Sequence, residues 1–202
     1  MKTMTVAERP KLTIPQSMEL AWRHYRAGAR EDAQMICARV LRVAPKNPDA
    51  LHLLGILAYE ARNLPLAVQL MSEAVRHAKK FAPMHGNLAL AKLAVGDLAG
   101  AAMCARKALS LSPAYADGHR VLGLVHEQKG QHRVAVEEFE RAQALGLDNP
   151  EIRANVARAR AQCDASNGAA SSAAASSAAA SSAAASSEAA SSEAPRDDVG
   201  TP

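Results

Sequence analysis

The sequence APMHGNLALAKLAVGDLAGAAMCARKALSLSPAY, residues 82–115, has two segments rich in alanine and leucine on either side of Gly96-Asp97. Alanine and leucine are strong helix formers, whereas glycine beside aspartate favours a tight turn. Pro113 follows the second segment and marks the end of a helix, because proline cannot continue one. The stretch therefore predicts a hairpin of two helices. Such a hairpin cannot bury its apolar side alone, so the pattern also predicts neighbours of the same kind.

The same spacing recurs at an interval of thirty-four residues on both sides of this hairpin. Aligning the chain with itself at that interval gives four blocks without a gap: residues 14–47, 48–81, 82–115 and 116–149. Three columns of the alignment hold Leu20, Leu54, Leu88 and Leu122; Ala21, Gly55, Ala89 and Gly123; and Ala33, Ala67, Ala101 and Ala135. Because helices approach within about 8–10 Å only where the contact residues are small, the last two columns predict where the helices of each hairpin cross.

The composition favours an all-α protein. Of 202 residues, 49% are apolar but only 3% are aromatic, a bias that suits closely packed helices better than strands. No apolar run is long enough to span a bilayer or to form a signal peptide, which predicts a cytoplasmic protein without membrane insertion. Cys37, Cys104 and Cys163 are odd in number and far apart, which is typical of packing thiols and not of disulfides or a zinc site.

Three further segments flank the four blocks. Residues 1–13 are predicted to form a disordered arm, since their few apolar side chains make no helical stripe. Residues 150–163 are predicted to form a ninth helix that caps the last hairpin, with Asn149 as its N-cap. Residues 164–202 contain a five-residue Ser/Ala repeat, a period that gives a helix no continuous apolar face. A disordered tail is expected there, and an isolated alanine-driven helix is the alternative.

The charge of the chain is unevenly distributed. Residues 14–115 carry thirteen Lys and Arg against seven Asp and Glu, whereas residues 116–149 carry four against six. Scattered charges are usual on solvated helix faces, and without a dense basic cluster no nucleic-acid partner is expected. The alternative interpretation is a mild preference of the N-terminal half for acidic partners.

The repeated columns resemble the tetratricopeptide repeat, a thirty-four-residue pattern with an early Leu-Gly, two alanines and a late proline. The best fits are Leu54-Gly55, Ala67 and Ala74 in the second block and Leu122-Gly123, Ala135 and Ala142 in the fourth. The resemblance implies a right-handed α-α superhelix of four helix hairpins, residues 14–149, followed by the capping helix. It also implies that the first helices of the hairpins line a concave groove that binds a peptide or an amphipathic helix of another protein.

On this resemblance, twelve side chains of the first helices form the groove surface: Met18, Trp22, Tyr25, Arg26, His52, Ile56, Tyr59, Asn87, Leu90, Leu93, Arg120 and Leu124. Within a helix these positions recur at helical spacing and so share one face. Their apolar content predicts an apolar or amphipathic ligand, with Arg26 and Arg120 as polar guides. Trp22 and Tyr59 could equally pack in the core; if Trp22 is exposed, it is the expected hot spot.

The sequence contains no motif for catalysis. It has no glycine-rich phosphate loop, no G-x-S-x-G and no HExxH. His85 and His119 could lie close together in adjacent blocks, but no third metal ligand is evident. No enzymatic activity, no cofactor and no metal are therefore expected.

Three classes of function fit these features. The leading hypothesis is a non-catalytic adaptor that binds a protein or peptide in its groove. The second is a regulatory or accessory array that acts with a separate enzyme such as a glycosyltransferase, since similar repeats occur beside such enzymes. The third is a self-assembling scaffold that forms homo-oligomers, or one whose own N-terminal arm fills the groove.

Overall fold

The computed structural model describes residues 12–168 of the chain, and every regular element within them is a helix. Eight helices form four hairpins: α1 (Ile14–Arg26) with α2 (Arg30–Val43), α3 (Pro48–Glu60) with α4 (Leu64–His77), α5 (Ala82–Ala94) with α6 (Leu98–Leu111), and α7 (Ala116–Gln128) with α8 (His132–Ala144). A ninth helix, α9, covers residues 150–168. The hairpins stack into a right-handed α-α superhelix that α9 caps, so the expected fold class is confirmed.

The two ends of the repeat array differ from the sequence-based boundaries. Residues 164–168 continue α9, so the predicted helix end at residue 163 was too early. Thr13, which was assigned to the arm, caps α1: its hydroxyl accepts from the backbone N–H of Gln16 at 3.4 Å, and its own N–H donates to Oε1 of Gln16 at 2.9 Å. The remainder of the predicted arm and tail, residues 1–11 and 169–202, lies outside the described residues.

Short polar side chains begin several of the helices. The Oδ1 atoms of Asn47 and Asn149 each accept a hydrogen bond at 2.9 Å from the backbone N–H of the residue three positions later. Asn63 and Asp97 cap α4 and α6 in the same way at 3.3 and 2.8 Å. The first backbone N–H groups of a helix have no partner within it, and these side chains satisfy one of them.

The turns inside the hairpins require a left-handed backbone. Gly28, Gly96 and Gly130 have φ angles of 80°, 82° and 70°, and the corresponding residue of the second hairpin, Arg62, has a φ of 61°. Glycine has no Cβ to oppose this conformation, whereas another L-residue is disfavoured there by roughly 1–2 kcal/mol. The second hairpin therefore carries a strained turn that the other three avoid.

Replacing Arg62 by glycine is expected to raise the free energy of unfolding by about 0.5–1 kcal/mol, because relief of the strain exceeds the extra chain entropy of glycine. Ala61→Gly is the matched control, since Ala61 has an ordinary φ of −75° and the same substitution there should destabilise. Urea unfolding of both variants measures the difference. A loss of stability in Arg62→Gly equal to that of Ala61→Gly would contradict the strain.

The core lies between the two helices of each hairpin and between successive hairpins. The column residues Ala21, Ala33, Ala67, Ala89, Ala101 and Ala135 are all fully buried. In the second hairpin, a Cβ added to Gly55 would lie 2.6 Å from Cγ of Met71. In the fourth, a Cβ on Gly123 would collide with the ring of Phe139. Small residues at these columns are thus what allows the paired helices to approach, as the repeat alignment predicted.

Candidate functional site

The first helices α1, α3 and α5, which the resemblance assigns to the concave side of the superhelix, line a shallow hollow. Its volume is about 160 Å³, and it is lined by Tyr25, Ile56, Tyr59, Met71, Asn87 and Leu90. Five of these six were predicted groove residues. Met71 comes from the second helix α4 and is only 2% exposed, so it forms the floor. The hollow is large enough for an apolar side chain of a ligand and has polar groups at its rim.

Tyr25 is fixed at one side of the hollow by a hydrogen bond across two hairpins. Its hydroxyl donates to Oε1 of Glu60 at 2.6 Å, and Nε of Arg30 donates to Oε2 of the same carboxylate at 2.8 Å. Burial, reinforced by the hydrogen bond to Glu60, raises the pKa of Tyr25 to about 12. The hydrogen bonds from Tyr25 and Arg30 lower the pKa of Glu60. Tyr25 therefore stays protonated and Glu60 ionised, which keeps this aromatic ring in place.

Asn87 is fixed on the other side of the hollow. Its side-chain N–H donates to Nε2 of His52 at 2.9 Å, and His52 is only 4% exposed. Burial lowers the pKa of His52 to about 4, so the imidazole is neutral and accepts this bond at physiological pH. The Asn87 carbonyl oxygen is left for other partners, and an amide at this place can accept a hydrogen bond from a bound backbone.

Trp22 belongs to an aromatic cluster beside the hollow and does not line it. Its ring is 5.7 Å from that of Tyr25, nearly perpendicular at 84°, and 6.1 Å from that of His52. Trp22 is partly buried and packs against the core of the first hairpin. It consequently combines the two interpretations left open by its sequence position: part of its surface is core and part faces outward.

Several predicted groove residues have other roles. Met18 and His52 are 5% and 4% exposed; they support the surface from below and offer no area to a ligand, which corrects their assignment. Arg120 is not a free polar guide, because it donates to Asp117 at 3.0 Å and to Glu151 of α9 at 3.2 Å. Arg26 is exposed, and Leu93 and Leu124 are half-buried. All three therefore have surface that a ligand could contact, and their place in the groove stays a prediction.

Helix α9 packs on the last hairpin and contacts its first helix, α7. Leu124 packs against the cluster that Ile152 and Val156 of α9 form with the last hairpin. Arg158 of α9 donates to both carboxylate oxygens of Glu127, at 2.6 and 2.8 Å. Helix α9 therefore covers Leu124 and Glu127 of the fourth hairpin, whereas the hollow lies on the first three hairpins.

The two histidines considered for a metal site have separate partners. Nδ1 of His119 donates to Oε2 of Glu138 at 2.8 Å, and Nε2 of His85 donates to the carbonyl of Lys79 at 3.0 Å. Among residues 12–168, no group of three or more His, Cys, Asp and Glu side chains could hold a metal ion. No helix in the same range is long and apolar enough to cross a bilayer.

A second, larger hollow lies on the other side of α3. Its volume is about 420 Å³, and it is lined by Gln34, Leu54, Leu57, Ala58, Ala61, Asn63, Leu66 and Leu70. It separates the second helices α2 and α4. None of the predicted groove residues lines it, its walls contain no aromatic side chain, and the side-chain oxygen of Asn63 in its wall already caps α4. Size alone does not favour it as a binding site.

Comparison with solved structures places the fold among helical repeat proteins. The APC/C hetero-tetramer Cut9-Hcn1 aligns with a TM-score of 0.68 and 20% identity over 73% of this chain, which spans 30% of that chain. TTC0263, a thermophilic TPR protein of Thermus thermophilus, aligns with a TM-score of 0.63 and 24% identity over 73% of this chain and 81% of that one. A Thermobaculum terrenum O-GlcNAc transferase mutant aligns with a TM-score of 0.57 and 30% identity over 63% of this chain and 26% of that one. No curated protein sequence matches the chain.

The four stacked hairpins and α9 define a solenoid of helices. The model of the tetratricopeptide repeat family matches residues 18–83 and 87–150, which is more than half of the chain. The chain belongs to the tetratricopeptide repeat family, as its repeat columns predicted. Membership supports a general role as a scaffold for protein–protein interaction.

Proposed function

We propose that this protein is a non-catalytic, cytoplasmic adaptor that binds an apolar or amphipathic segment of a partner protein on its concave face. The hollow between Tyr25, Tyr59 and Asn87 carries the proposal, because three successive first helices contribute to it. One apolar ligand side chain fills the hollow. The rim groups hold the ligand backbone, in the manner of an amphipathic helix or extended segment in a groove.

Preorganisation supports the same proposal. Tyr25 is held by Glu60, and Asn87 is held by His52, through hydrogen bonds of 2.6 and 2.9 Å. Side chains that are already ordered lose little conformational entropy when a ligand binds, so more of the contact energy is available for affinity. Large aromatic residues around a buried centre are also the usual hot spots of interfaces.

A peptide library displayed on phage, selected on the full chain, tests the proposal. The selected peptides are expected to share an apolar anchor. Tyr59→Ala should weaken their binding by about thirtyfold, the loss typical of a hot-spot aromatic residue. Met103→Ala is the matched control, because Met103 is 63% exposed on the second helix α6, and its binding should be unchanged. Equal affinity of Tyr59→Ala and wild type, with both folded by circular dichroism, would refute the concave site.

A second candidate is an accessory repeat module that acts with a separate enzyme. The observation in its favour is the 30% identity to the Thermobaculum terrenum O-GlcNAc transferase mutant, of which this chain spans 26%. Co-purification distinguishes the two candidates. A glycosyltransferase retained by wild type and lost with Tyr59→Ala supports the accessory role, whereas retention of non-enzymatic partners alone supports the adaptor.

A further inference from the structure

The connections between successive hairpins all lie at one edge of the superhelix, since every hairpin returns the chain to that edge. We define the basic edge as the C-terminal halves of α2, α4 and α6 together with the connections that follow them. Eight exposed cationic side chains belong to it: Arg39, Arg42, Lys46, Arg76, Lys79, Lys80, Arg106 and Lys107. The basic edge lies away from the hollow, whose lining comes mainly from the first helices.

Few carboxylates neutralise this edge. Residues 37–51, 71–85 and 105–119 cover the basic edge and the first residues of the helices that follow it. They contain three acidic residues, Asp49, Glu73 and Asp117, against the eight cationic ones. Within the described part of the chain, Arg76 is the one cation of the eight with a carboxylate oxygen within 4.0 Å, that of Glu73. The corresponding residues of the fourth hairpin, 139–153, carry two cations and three acids. The positive charge is therefore confined to the first three hairpins.

Two exposed apolar side chains stand among these cations. Val43, next to Arg42 at the end of α2, is 78% exposed, and Phe81, directly after Lys79 and Lys80, is 50% exposed. Val43 is the last residue of α2, and Phe81 directly precedes α5, so both belong to the basic edge. Exposed large apolar groups flanked by cations match the boundary between lipid headgroups and acyl chains.

We propose that the basic edge docks the first three hairpins on the surface of an anionic lipid bilayer. The Lys and Arg side chains contact the lipid phosphates and carboxylates, while Phe81 and Val43 enter the headgroup layer. Exposed apolar side chains next to unpaired cations favour a bilayer, which offers both anionic headgroups and an apolar layer, over an acidic peptide, which offers charge alone. The concave hollow stays free, so the bilayer and a protein partner can be bound together.

Co-sedimentation of the full chain with vesicles tests this proposal. The chain is expected to bind phosphatidylcholine vesicles containing phosphatidylserine, not to bind pure phosphatidylcholine vesicles, and to be released as the salt concentration rises. The double variant Lys79→Glu, Lys80→Glu should lower partitioning by about tenfold or more. Phe81→Ser should lower it without a change of charge, and serine is itself a favourable N-cap for α5.

The matched control reverses the same number of charges at the opposite edge. Lys129→Glu with Arg133→Glu, near the turn between α7 and α8, should leave partitioning unchanged. Equal loss in the two double variants would show a net-charge effect and overturn the proposal. Equal binding to both vesicle types would also overturn it, as would tighter binding of poly-glutamate or DNA that depends on the same lysines. None of these results depends on peptide binding in the hollow.

Discussion

Replacing Phe139 by alanine is expected to lower the free energy of unfolding by about 3–5 kcal/mol, the usual cost of removing a buried phenyl ring. Phe139 is completely buried between α7 and α8 and also contacts the α9 cluster. Its loss leaves a cavity that the crossing helices cannot close, because Gly123 opposite has no side chain to fill it. Urea or guanidinium unfolding followed by circular dichroism measures the effect. A change below about 1 kcal/mol would show that the ring is not a packing centre.

The pair formed by Phe139 and Gly123 permits a sharper test. Gly123→Ala alone should destabilise by about 1–3 kcal/mol, because the added methyl group meets the Phe139 ring. In the double variant Gly123→Ala, Phe139→Ala the methyl group occupies vacated space and recreates the pair Ala89 and Ala105 of the third hairpin, where both residues are fully buried. The double variant should thus be more stable than the sum of the single effects predicts. Simple additivity would contradict the contact.

The second large effect expected is a loss of stability on acidification that depends on His52. Burial lowers its pKa from 6.5 to about 4. Between these values the unfolded chain takes up a proton on this imidazole that the folded chain does not, so stability falls as the pH drops from 6.5 to about 4. Above pH 6.5 the neutral His52 costs the folded state no stability. The loss of stability on acidification reaches about 2–3 kcal/mol by pH 4.

His52→Gln isolates this contribution, because glutamine does not titrate and its carbonyl can still accept the N–H of Asn87. The free energy of unfolding is measured at several pH values for both proteins. As the pH falls from 6.5 to 4, the wild type should lose stability relative to His52→Gln. Above pH 6.5 the difference between the two proteins should stay constant. A constant difference over the whole range would mean that His52 is not protected from protonation in the folded state.

The repeat columns explain how much of the fold could be predicted from the sequence. A period of thirty-four residues without gaps sets the helix pairs, and small residues such as Ala33 and Ala101 mark the crossings. The sizes at a crossing also compensate: Gly55 opposes Met71, whereas Ala89 opposes the smaller Ala105. The end of α9 could not be placed in this way, because the residues around Asp164 have no repeat partner to compare with.

The sequence predicted which helix faces carry the candidate site, but not how deeply each side chain is buried. The resemblance to the tetratricopeptide repeat selected Tyr25, Ile56 and Tyr59 for the groove surface, and helical spacing places such positions on one face of each helix. How deeply a side chain is buried depends on the neighbouring hairpin, so spacing could not distinguish the buried Met18 and His52 from the half-buried Tyr25 and Ile56. Contacts between distant parts of the chain were missed for the same reason, as with the ion pairs that α9 makes to the last hairpin.

The role of the concave hollow in binding is tested most directly by photo-crosslinking. Benzoylphenylalanine is placed at position 59, in the hollow, or at position 103, on α6, and each full-length protein is irradiated with a peptide selected from the library. Because benzoylphenylalanine is larger than tyrosine by a benzoyl group, the affinity of each variant for the peptide is measured before irradiation. A peptide adduct is expected from position 59 and not from position 103. An adduct from position 103 alone would contradict binding on the concave face.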